Sequence, residues 1–445
     1  MEKNWSELTT DQKQEAMFQS WLSPQGIKYK DEKAEKAYKE RATRIKDAIQ
    51  LKKTPDRVPV FPIIGFFPAF YSGMTPRDAM YDYDRLSNAW KRYVLEFEPD
   101  AHLGIAIPTP GRVFDILDYT LYSWPGHGVS ERHSYQYNEG EYMKADEYDA
   151  FIQDPHYYFT VTYLPRIFKA LKPFSALPNF ANIQEIVFVG PNILPFGMPE
   201  VQNAFKALFE AGSEALKWIG YVGAFNNEMT AAGFPNFFGG FSKAPFDTLG
   251  DTLRGTRGIM TDIYRRPEKL LKALDAITPL MINMGVSAAK AAGNPIVFIP
   301  LHKGADGFMS DEQFKTFYWP SFRKLLIGLI EEGCVPFPWA EGGYNSRLEV
   351  IRDIPKGKVI YGFDMTDMAK AKEILGDVAC IGGNVPLSLL QIGTPQDVKD
   401  YIKNLIKVAG KNGGFILMNG AAIDDAKPEN VKAMINAAKE FGVYR

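Results

Sequence analysis

Cysteine is scarce in this chain of 445 residues, which contains only Cys334 and Cys380. Two cysteines cannot form the dense disulfide framework of a small secreted domain, and such scarcity is typical of proteins from a reducing compartment. The first residues, MEKNWSELTTDQKQEAMF, lack the apolar core of a signal peptide. We therefore expect a cytoplasmic protein.

An excess of charge of one sign and long apolar runs are also missing. The chain has 51 Lys and Arg against 53 Asp and Glu, a net charge of −2, and no basic tract. The sequence therefore predicts no binding to nucleic acid. No apolar run reaches the roughly 18 residues of a membrane helix, so we expect no membrane span. The hydrophobic content of 46% is nevertheless ample for a large core.

Short apolar runs that alternate with helical patterns dominate the C-terminal half. Five such runs lie at 294–302, 334–343, 358–364, 377–386 and 413–420. Short and continuously apolar strands are typical of a parallel sheet covered by helices. Earlier candidates include the runs at 58–64, 100–108 and 182–190. With roughly eight strands in all, the sequence predicts an α/β fold of the (β/α)₈ TIM-barrel type, with an open parallel sheet as the alternative.

The rest of the chain predicts two additions to this barrel. Residues 1–56 are rich in Lys, Glu, Ala and Gln and predict an N-terminal extension with a solvated, charge-paired helix. Residues 57–445 are expected to form the barrel. Within them, about 109–165 contains few apolar runs and much Gly, Tyr and Glu, which predicts an insertion that caps the barrel mouth.

Polar residues end the five regular strands, namely His302, Glu341, Asp364, Asn384 and Asn419. The carboxyl ends of barrel strands form active sites, so we expect His302, Glu341 and Asp364 to be catalytic, in acid–base chemistry or metal binding. Cys380 is a further candidate metal ligand, although no HExxH, HxC or CxxC spacing occurs. The alternative is that these residues only begin turns and cap helices where strands meet water.

Aromatic and polar residues predict a substrate pocket at the same end. Phenylalanines and a tyrosine follow the first apolar run, and HSYQYNEGE at 133–141 alternates like one face of a hairpin. Such groups suit a flat ligand, whereas the alternatives are a packed lid and a solvated hairpin. The predicted substrate-binding residues are Phe66, Phe67, Tyr71, His133, Tyr135, Asn384 and Asn419.

Three segments of the C-terminal half resemble the uroporphyrinogen decarboxylase superfamily. They are FIPLHKGADGFMSDEQFKTFYWP, GNVPLSLLQIGTPQDVKDYIKNLI and GGFILMNGAAIDDAKPENVKAMI. The resemblance covers roughly 55–445 and implies a (β/α)₈ barrel. The decarboxylases themselves carry an Arg-rich motif after the first strand and a His-containing glycine motif near the last. This chain has IIGFFPAFYSG and LMNGAAI at those places, which argues against porphyrinogen decarboxylation because the substrate carboxylates would lack their arginines.

The other branch of the superfamily consists of corrinoid-dependent methyltransferases. Members that methylate a thiol hold zinc with cysteines at the positions of Gly304 and Ala421, beside the histidine at the position of His302. The chain looks more like the relatives that perform O-demethylation, the transfer of a methyl group from a methoxylated compound to a corrinoid. The resemblance implies that zinc at His302 and Glu341 polarises the ether oxygen, or that an acid such as Asp364 protonates it.

The resemblance also implies a separate corrinoid protein as the partner, since this chain has no DxHxxG-type corrinoid motif. That protein would dock over the mouth, and the aromatic residues favour a ring in the small-molecule methyl donor. Three alternatives stay open: a decarboxylase or lyase for a small carboxylic acid, a methylcobalamin:thiol methyltransferase, and a binding protein for a tetrapyrrole or corrinoid. The sequence also leaves open whether the chain forms a homodimer.

Overall fold

The computed structural model describes residues 4–444 and begins with two helices, α1 at Thr10–Leu22 and α2 at Glu32–Gln50. The prediction that α2 is solvated is wrong for one of its faces. Tyr38, Ala42 and Ile45 on that face are almost fully buried, because they recur at helical spacing and form one apolar stripe. The indole N–H of Trp21 on α1 donates to the carbonyl of Asn236, so this extension is fixed to the later chain.

Short helices and a small sheet follow the extension. The helices are α3 Phe67–Tyr71, α4 Pro76–Tyr81, α5 Tyr83–Phe97, α6 Gly111–Leu117, α7 Tyr148–Gln153, α8 Pro155–Tyr158 and α9 Leu164–Ile167. The strands are β1 Tyr122–Pro125, β2 Gly128–Val129 and β3 Gln136–Tyr137. They pair in the order β2-β1-β3. All three lie inside the predicted insertion of 109–165.

The apolar run at 182–190 is not a strand, so that prediction was wrong. It forms part of helix α10, Ile186–Ile193, which is exposed and leads into the 33-residue helix α11, Pro199–Ala231. A short apolar run fits a strand and a helix equally well by periodicity alone, which explains the error. No helix among residues 4–444 combines the length and apolar character needed to cross a membrane.

The C-terminal part alternates strands and helices around one six-stranded parallel sheet, ordered β4-β5-β6-β7-β8-β9. The strands are β4 Gly240–Phe241, β5 Ile296–Leu301, β6 Val335–Ala340, β7 Ile360–Phe363, β8 Cys380–Val385 and β9 Phe415–Asn419. The helices are α12 Pro245–Asp247, α13 Gly255–Arg265, α14 Pro267–Ala292, α15 Asp311–Gln313, α16 Trp319–Glu331, α17 Leu348–Ile351, α18 Met368–Leu375, α19 Leu387–Ile392, α20 Pro395–Ala409 and α21 Pro428–Phe441. The predicted α/β class with a parallel sheet is confirmed.

Both faces of this sheet are covered, which explains why its strands are continuously apolar. Successive residues of β5 alternate between two cores, since side chains alternate across a strand. Ile296 belongs to the core that contains Phe18 and Trp21 of α1, whereas Val297 belongs to the core formed with the flanking helices. The N-terminal extension therefore completes the core on one side of the sheet.

Further backbone hydrogen bonds extend the sheet beyond both edge strands. Residues 59–61 exchange hydrogen bonds with Leu417 of β9, and the Asp100 amide donates to the Val60 carbonyl. His102 exchanges hydrogen bonds with 235–237, immediately before β4. The apolar runs predicted as the first two strands therefore lie between β9 and β4, linked by isolated bridges rather than by long ladders.

Candidate active site

The loops after β5, β6 and β7 bring three predicted catalytic residues to one end of the sheet. Leu301 pairs with Ala340, and Ala340 pairs with Phe363. His302, Glu341 and Asp364 are the next residues along each strand, so the parallel register sets them side by side. The His302 Nε2 lies 3.7 Å from a Glu341 carboxylate oxygen. The His302 side chain is 35% exposed and that of Glu341 52%, so this pair is open to solvent.

Asp251 fixes the other side of the His302 ring. Its Oδ2 lies 2.5 Å from His302 Nδ1, and its carboxylate also contacts the ammonium groups of Lys243 and Lys303, each at 3.1 Å. Asp251 sits on the π-helical turn Thr248–Leu253, a distortion that often occurs at functional sites. Burial favours a neutral Asp251, but the His302 hydrogen bond and the lysines hold its pKa far below the ordinary value. We therefore treat Asp251 as ionised.

Asp247 fixes the backbone on which His302 stands. This carboxylate is fully buried and accepts the backbone N–H of His302 at 3.0 Å and that of Lys303 at 2.9 Å. It also accepts the hydroxyl of Tyr318 at 2.8 Å. The loop after β5 is thus held by three hydrogen bonds to one side chain, which gives His302 a defined position.

The electrostatics favour a protonated His302. Partial burial lowers the pKa of its imidazole, but the hydrogen bond to Asp251 and the charges of Asp247 and Glu341 outweigh burial, so the net shift is upward. Partial burial also raises the pKa of the Glu341 carboxyl, and the nearby acids add to this shift while His302 opposes it. Partial burial raises the pKa of Asp364 as well, although its carboxylate accepts the Gly342 N–H at 3.1 Å. This arrangement can present a proton to a bound molecule from His302 Nε2.

Two predicted aromatic contacts lie in the helical layer instead of at the mouth. Phe67 is 1% exposed, and its ring stacks on that of Tyr71 with centroids 5.9 Å apart. Both rings pack edge-on against Phe97 of α5, and the Tyr71 hydroxyl hydrogen-bonds to Glu96. Helix α3 turns both rings toward α5, and their contact with substrate stays a prediction.

The other predicted substrate residues before β4 belong to a neighbouring cleft. Phe66 is 1% exposed and packs edge-on against Tyr135, with centroids 5.5 Å apart. The Tyr135 hydroxyl donates to the Ile107 carbonyl at 2.7 Å. Tyr135 and the exposed His133 line an open cleft of about 550 Å³ together with Asp424. Their role in substrate binding stays a prediction.

The two asparagines at strand ends hold the backbone. Asn419 is fully buried, and its side-chain amide pairs with both the N–H and the carbonyl of Ile63, at 2.8 and 2.9 Å. It also donates to the Ala421 carbonyl, so its amide is already engaged within the chain, and its role in substrate binding stays a prediction. Asn384 donates to the Thr366 carbonyl at 2.9 Å and is half-buried.

Residues for a zinc centre are not assembled around His302. Cys380 is the first residue of β8, at the opposite end of the sheet, and burial raises the pKa of its thiol to about 12. The structure therefore corrects the prediction that Cys380 is a metal ligand. A Cβ at Gly304 would lie 2.5 Å from the Tyr344 hydroxyl, so no cysteine side chain fits there without rearrangement.

Within residues 4–444, no three His, Cys, Asp or Glu side chains are arranged to hold a metal ion. Catalytic zinc usually needs three protein ligands. Here Glu341 lies beside His302 Nε2, whereas Asp251 is hydrogen-bonded to His302 Nδ1 and paired with two lysines, so the residues do not fit a zinc site. We expect the protein purified without chelators to contain far less than one zinc per chain, measured by elemental analysis. One zinc per chain that is lost on His302→Ala would contradict this reading.

Sequence reasoning missed the residues that support His302. Asp247 and Asp251 lie four residues apart in APFDTLGDTLRG, just after β4. Because β4 has only two residues, it leaves no apolar run in the sequence that would mark the acids after it as a strand end. The insertion also reaches this loop, since the Tyr137 hydroxyl donates to the Asp251 carbonyl. The rings of Tyr122 and Tyr137 meet edge-on at 5.3 Å beside it.

A parallel α/β sheet with an ionised acid–histidine pair at its carboxyl edge defines an enzyme-like site on a barrel-related fold. Residues 236–441 match the family model "Uroporphyrinogen decarboxylase (URO-D)". The match covers somewhat less than half of the chain, and the resemblance predicted from its motifs is confirmed.

Several known proteins are similar to this chain at low sequence identity. A uroporphyrinogen decarboxylase of Psychromonas ingrahamii is 27% identical over 214 residues, covering 46% of this chain and 59% of the relative. That of Chlorobaculum parvum is 24% identical over 184 residues, covering 40% and 51%. The matches thus span between half and three-fifths of the relatives. A solved methyltransferase from Methanosarcina mazei covers 90% of this chain and 98% of its own, with a TM-score of 0.59 and 16% identity, which establishes a shared fold.

Proposed function

We propose that this protein is a methyltransferase that moves a methyl group from a methoxylated, aromatic compound to the cobalt of a corrinoid on a separate protein. The observation that carries the proposal is the orientation of His302. Its Nδ1 is held by the ionised Asp251, and its Nε2 faces the solvent-open side near Glu341. This geometry supplies a proton donor and no nucleophile of the chain's own, as expected when the co-substrate supplies the nucleophile.

The chemical step needs a proton at the departing oxygen. The carbon–oxygen bond of the methoxyl group breaks as the methyl carbon bonds to the reduced cobalt of the co-substrate. The electron pair of the broken bond stays on oxygen, which accepts the proton from His302 Nε2 and leaves as a phenol. Asp251 stabilises the imidazolium before transfer, and the half-exposed Glu341 can return a proton from solvent.

The charges near His302 argue against a substrate with many carboxylates. Lys243 and Lys303 both contact Asp251, the partner of His302, and are therefore engaged. The edge-on pair Tyr122 and Tyr137 offers apolar ring faces instead. Such a pair suits a methoxybenzene ring better than a porphyrinogen with several acidic groups.

The proposal includes a closed barrel and a docking partner. The bonds of 59–61 to β9, of Asp100 to Val60 and of His102 to 235–237 support closure into eight strands. A corrinoid protein would then dock over the carboxyl end, beside the insertion. The free and buried Cys334 and Cys380 suit a reducing cytoplasm as the place of the reaction.

The test is a demethylation assay with methoxybenzoates and a corrinoid protein kept in its reduced state. We expect formation of the corresponding phenol and of methylated corrinoid in equal amounts, and no product without the corrinoid protein. Release of carbon dioxide from a small carboxylic acid without any corrinoid would instead establish the decarboxylase alternative. Tight corrinoid binding without turnover of any methoxylated compound would establish a binding protein.

A further inference from the structure

An unusually apolar surface covers α11 and the segment before it. Ten large apolar side chains there are between 44% and 87% exposed: Phe180, Ile186, Val187, Phe188, Val189, Ile193, Leu194, Phe209, Leu216 and Ile219. We call these ten residues the apolar face. Stacked and tilted rings connect its two parts, since Phe196 and Phe205 lie between Phe180 and Phe209 with successive centroids 5.7, 5.8 and 6.1 Å apart.

The apolar face is large enough for a stable protein interface. Phe side chains bring roughly 150–250 Å² each and aliphatic ones roughly 60–120 Å², so these ten at their exposures leave on the order of 800 Å² of apolar surface in solvent. The largest such patch on a typical monomer is about 300–600 Å². A standard interface buries about 800 Å² per partner, which this face supplies.

The outward side of α11 also has the shape for close packing against another helix. Gly212, Gly220 and Gly223 lie on this side, and a Cβ at each would meet nothing within 4 Å. Gly212 leaves a hollow between the exposed side chains of Phe209 and Leu216, and Gly220 and Gly223 leave hollows beyond Leu216. At 100° per residue, the nearby charges of Lys206, Glu210 and Lys217 fall to one side of this strip, so no charge interrupts it.

This strip is complementary to itself in one particular pairing. Phe209 lies seven positions before Leu216 and Gly223 seven positions after it, while Gly212 and Gly220 each lie four positions away. If two copies of α11 cross antiparallel at Leu216, Phe209 of one protomer meets Gly223 of the partner subunit, and the reverse contact occurs as well. Gly212 then faces Gly220 of the partner subunit. A two-fold interface requires this kind of reciprocal match.

We propose that the chain forms a two-fold homodimer through the apolar face, with the α11 helices antiparallel and Leu216 at the axis. A second copy is the occupant, because the projecting Phe209 and the hollow at Gly223 match each other within one sequence. The proposal does not depend on the reaction proposed above, and either can fail without the other.

The first test is the mass of the full chain in solution, by light scattering and sedimentation at micromolar concentration. We expect twice the chain mass of 50.0 kDa for the wild type and the single-chain mass for Leu216→Lys. The matched control is Ile392→Lys, which changes an apolar residue that is 79% exposed but lies outside the apolar face. This variant should stay dimeric. A monomeric wild type would overturn the proposal. Binding of that monomer to phosphatidylcholine–phosphatidylglycerol vesicles, lost in Leu216→Lys, would assign the face to a lipid surface instead.

A second test measures which positions of α11 lie close together in the dimer, and it does not depend on how well a lysine variant folds. Both native cysteines are fully buried and should be silent toward copper–phenanthroline oxidation. Leu216→Cys should cross-link with itself. Phe209→Cys alone should not, because the two copies of position 209 lie far apart in an antiparallel pair, whereas a mixture of Phe209→Cys and Gly223→Cys chains should. Efficient cross-linking of Phe209→Cys alone would overturn the antiparallel arrangement.

Discussion

Replacement of His302 by glutamine is expected to slow methyl transfer by roughly 10²–10⁴-fold, the usual contribution of a general acid. Glutamine keeps a hydrogen-bonding side chain of similar reach but cannot deliver a proton. The measurement is the single-turnover rate with a methoxylated aromatic compound and pre-reduced corrinoid protein. Because the His302 side chain is 35% exposed and follows β5, thermal unfolding should change little, which separates lost chemistry from lost folding.

The same residue should set the pH dependence of the rate. Partial burial lowers the pKa of His302, but Asp251 and the other acids raise it by more than burial lowers it. His302 therefore stays protonated to a higher pH than its ordinary pKa of 6.5 would allow. The rate should therefore fall as pH rises through that raised pKa. Asp251→Asn should move this fall to lower pH, because the ionised partner is gone.

The matched control for Asp251 is Asp353→Asn, which alters an exposed carboxylate paired with Arg323. It should leave the pH profile where it is. If Asp251→Asn lowers the rate equally at every pH without moving the profile, Asp251 would be a structural residue only. A His302→Gln protein within tenfold of the wild-type rate would remove His302 from the mechanism.

The regular strands were predictable because their local signals agree. Each of β5 to β9 is a short apolar run that follows a glycine, and two helices of this half begin at side-chain caps of typical sequence. The Ser310 side chain accepts from the Gln313 backbone, and Thr394 caps α20 with Pro395 at its first position. Gly333 adopts a positive φ of 84° after α16. Local chemistry and tertiary structure point the same way there.

The first strand candidates and the run at 182–190 were less predictable for different reasons. Residues 59–61 and 100–102 contribute isolated bridges, so their pairing depends on partners far along the chain. The run at 182–190 carries apolar residues that the single chain leaves exposed as α10. A periodicity argument assumes that apolar residues are buried within the chain, and this assumption fails at a surface of this kind.

The candidate site was predictable to the extent that it follows from strand ends. The proximity of His302 and Glu341 follows from parallel register, once both are placed after apolar runs. Asn419 ends its strand in the same way, yet it turns inward to pair with Ile63. Whether a strand-end side chain points to solvent or to a neighbouring segment depends on the alternation of side chains along that strand. An error of one residue in the predicted strand end reverses the direction predicted for the side chain.

Removal of the Asp100 carboxylate should cause a large loss of stability where the N-terminal extension meets the rest of the chain. Asp100 is fully buried and bonds to Arg44 of α2 at 2.8 Å, to Arg57 at 2.6 and 2.7 Å and to the Val60 N–H at 2.8 Å. Asp100→Ala leaves two arginines without their shared partner, so the free energy of unfolding should fall by about 3–5 kcal/mol. Urea denaturation at neutral pH, followed by tryptophan fluorescence, measures this change.

A matched control is Asp377→Ala, which removes the same side chain from an arginine pair at the surface. Asp377 contacts Arg352 at 2.6 Å, but its side chain is 62% exposed, so the loss should stay below about 1 kcal/mol. Burial alone would raise the pKa of Asp100, but the two arginines hold it below 3.8, so its contribution is present at neutral pH and is lost only as pH falls below that value. Equal losses in the two variants would mean that Asp100 does not join the extension to residues 57–60 as its contacts indicate.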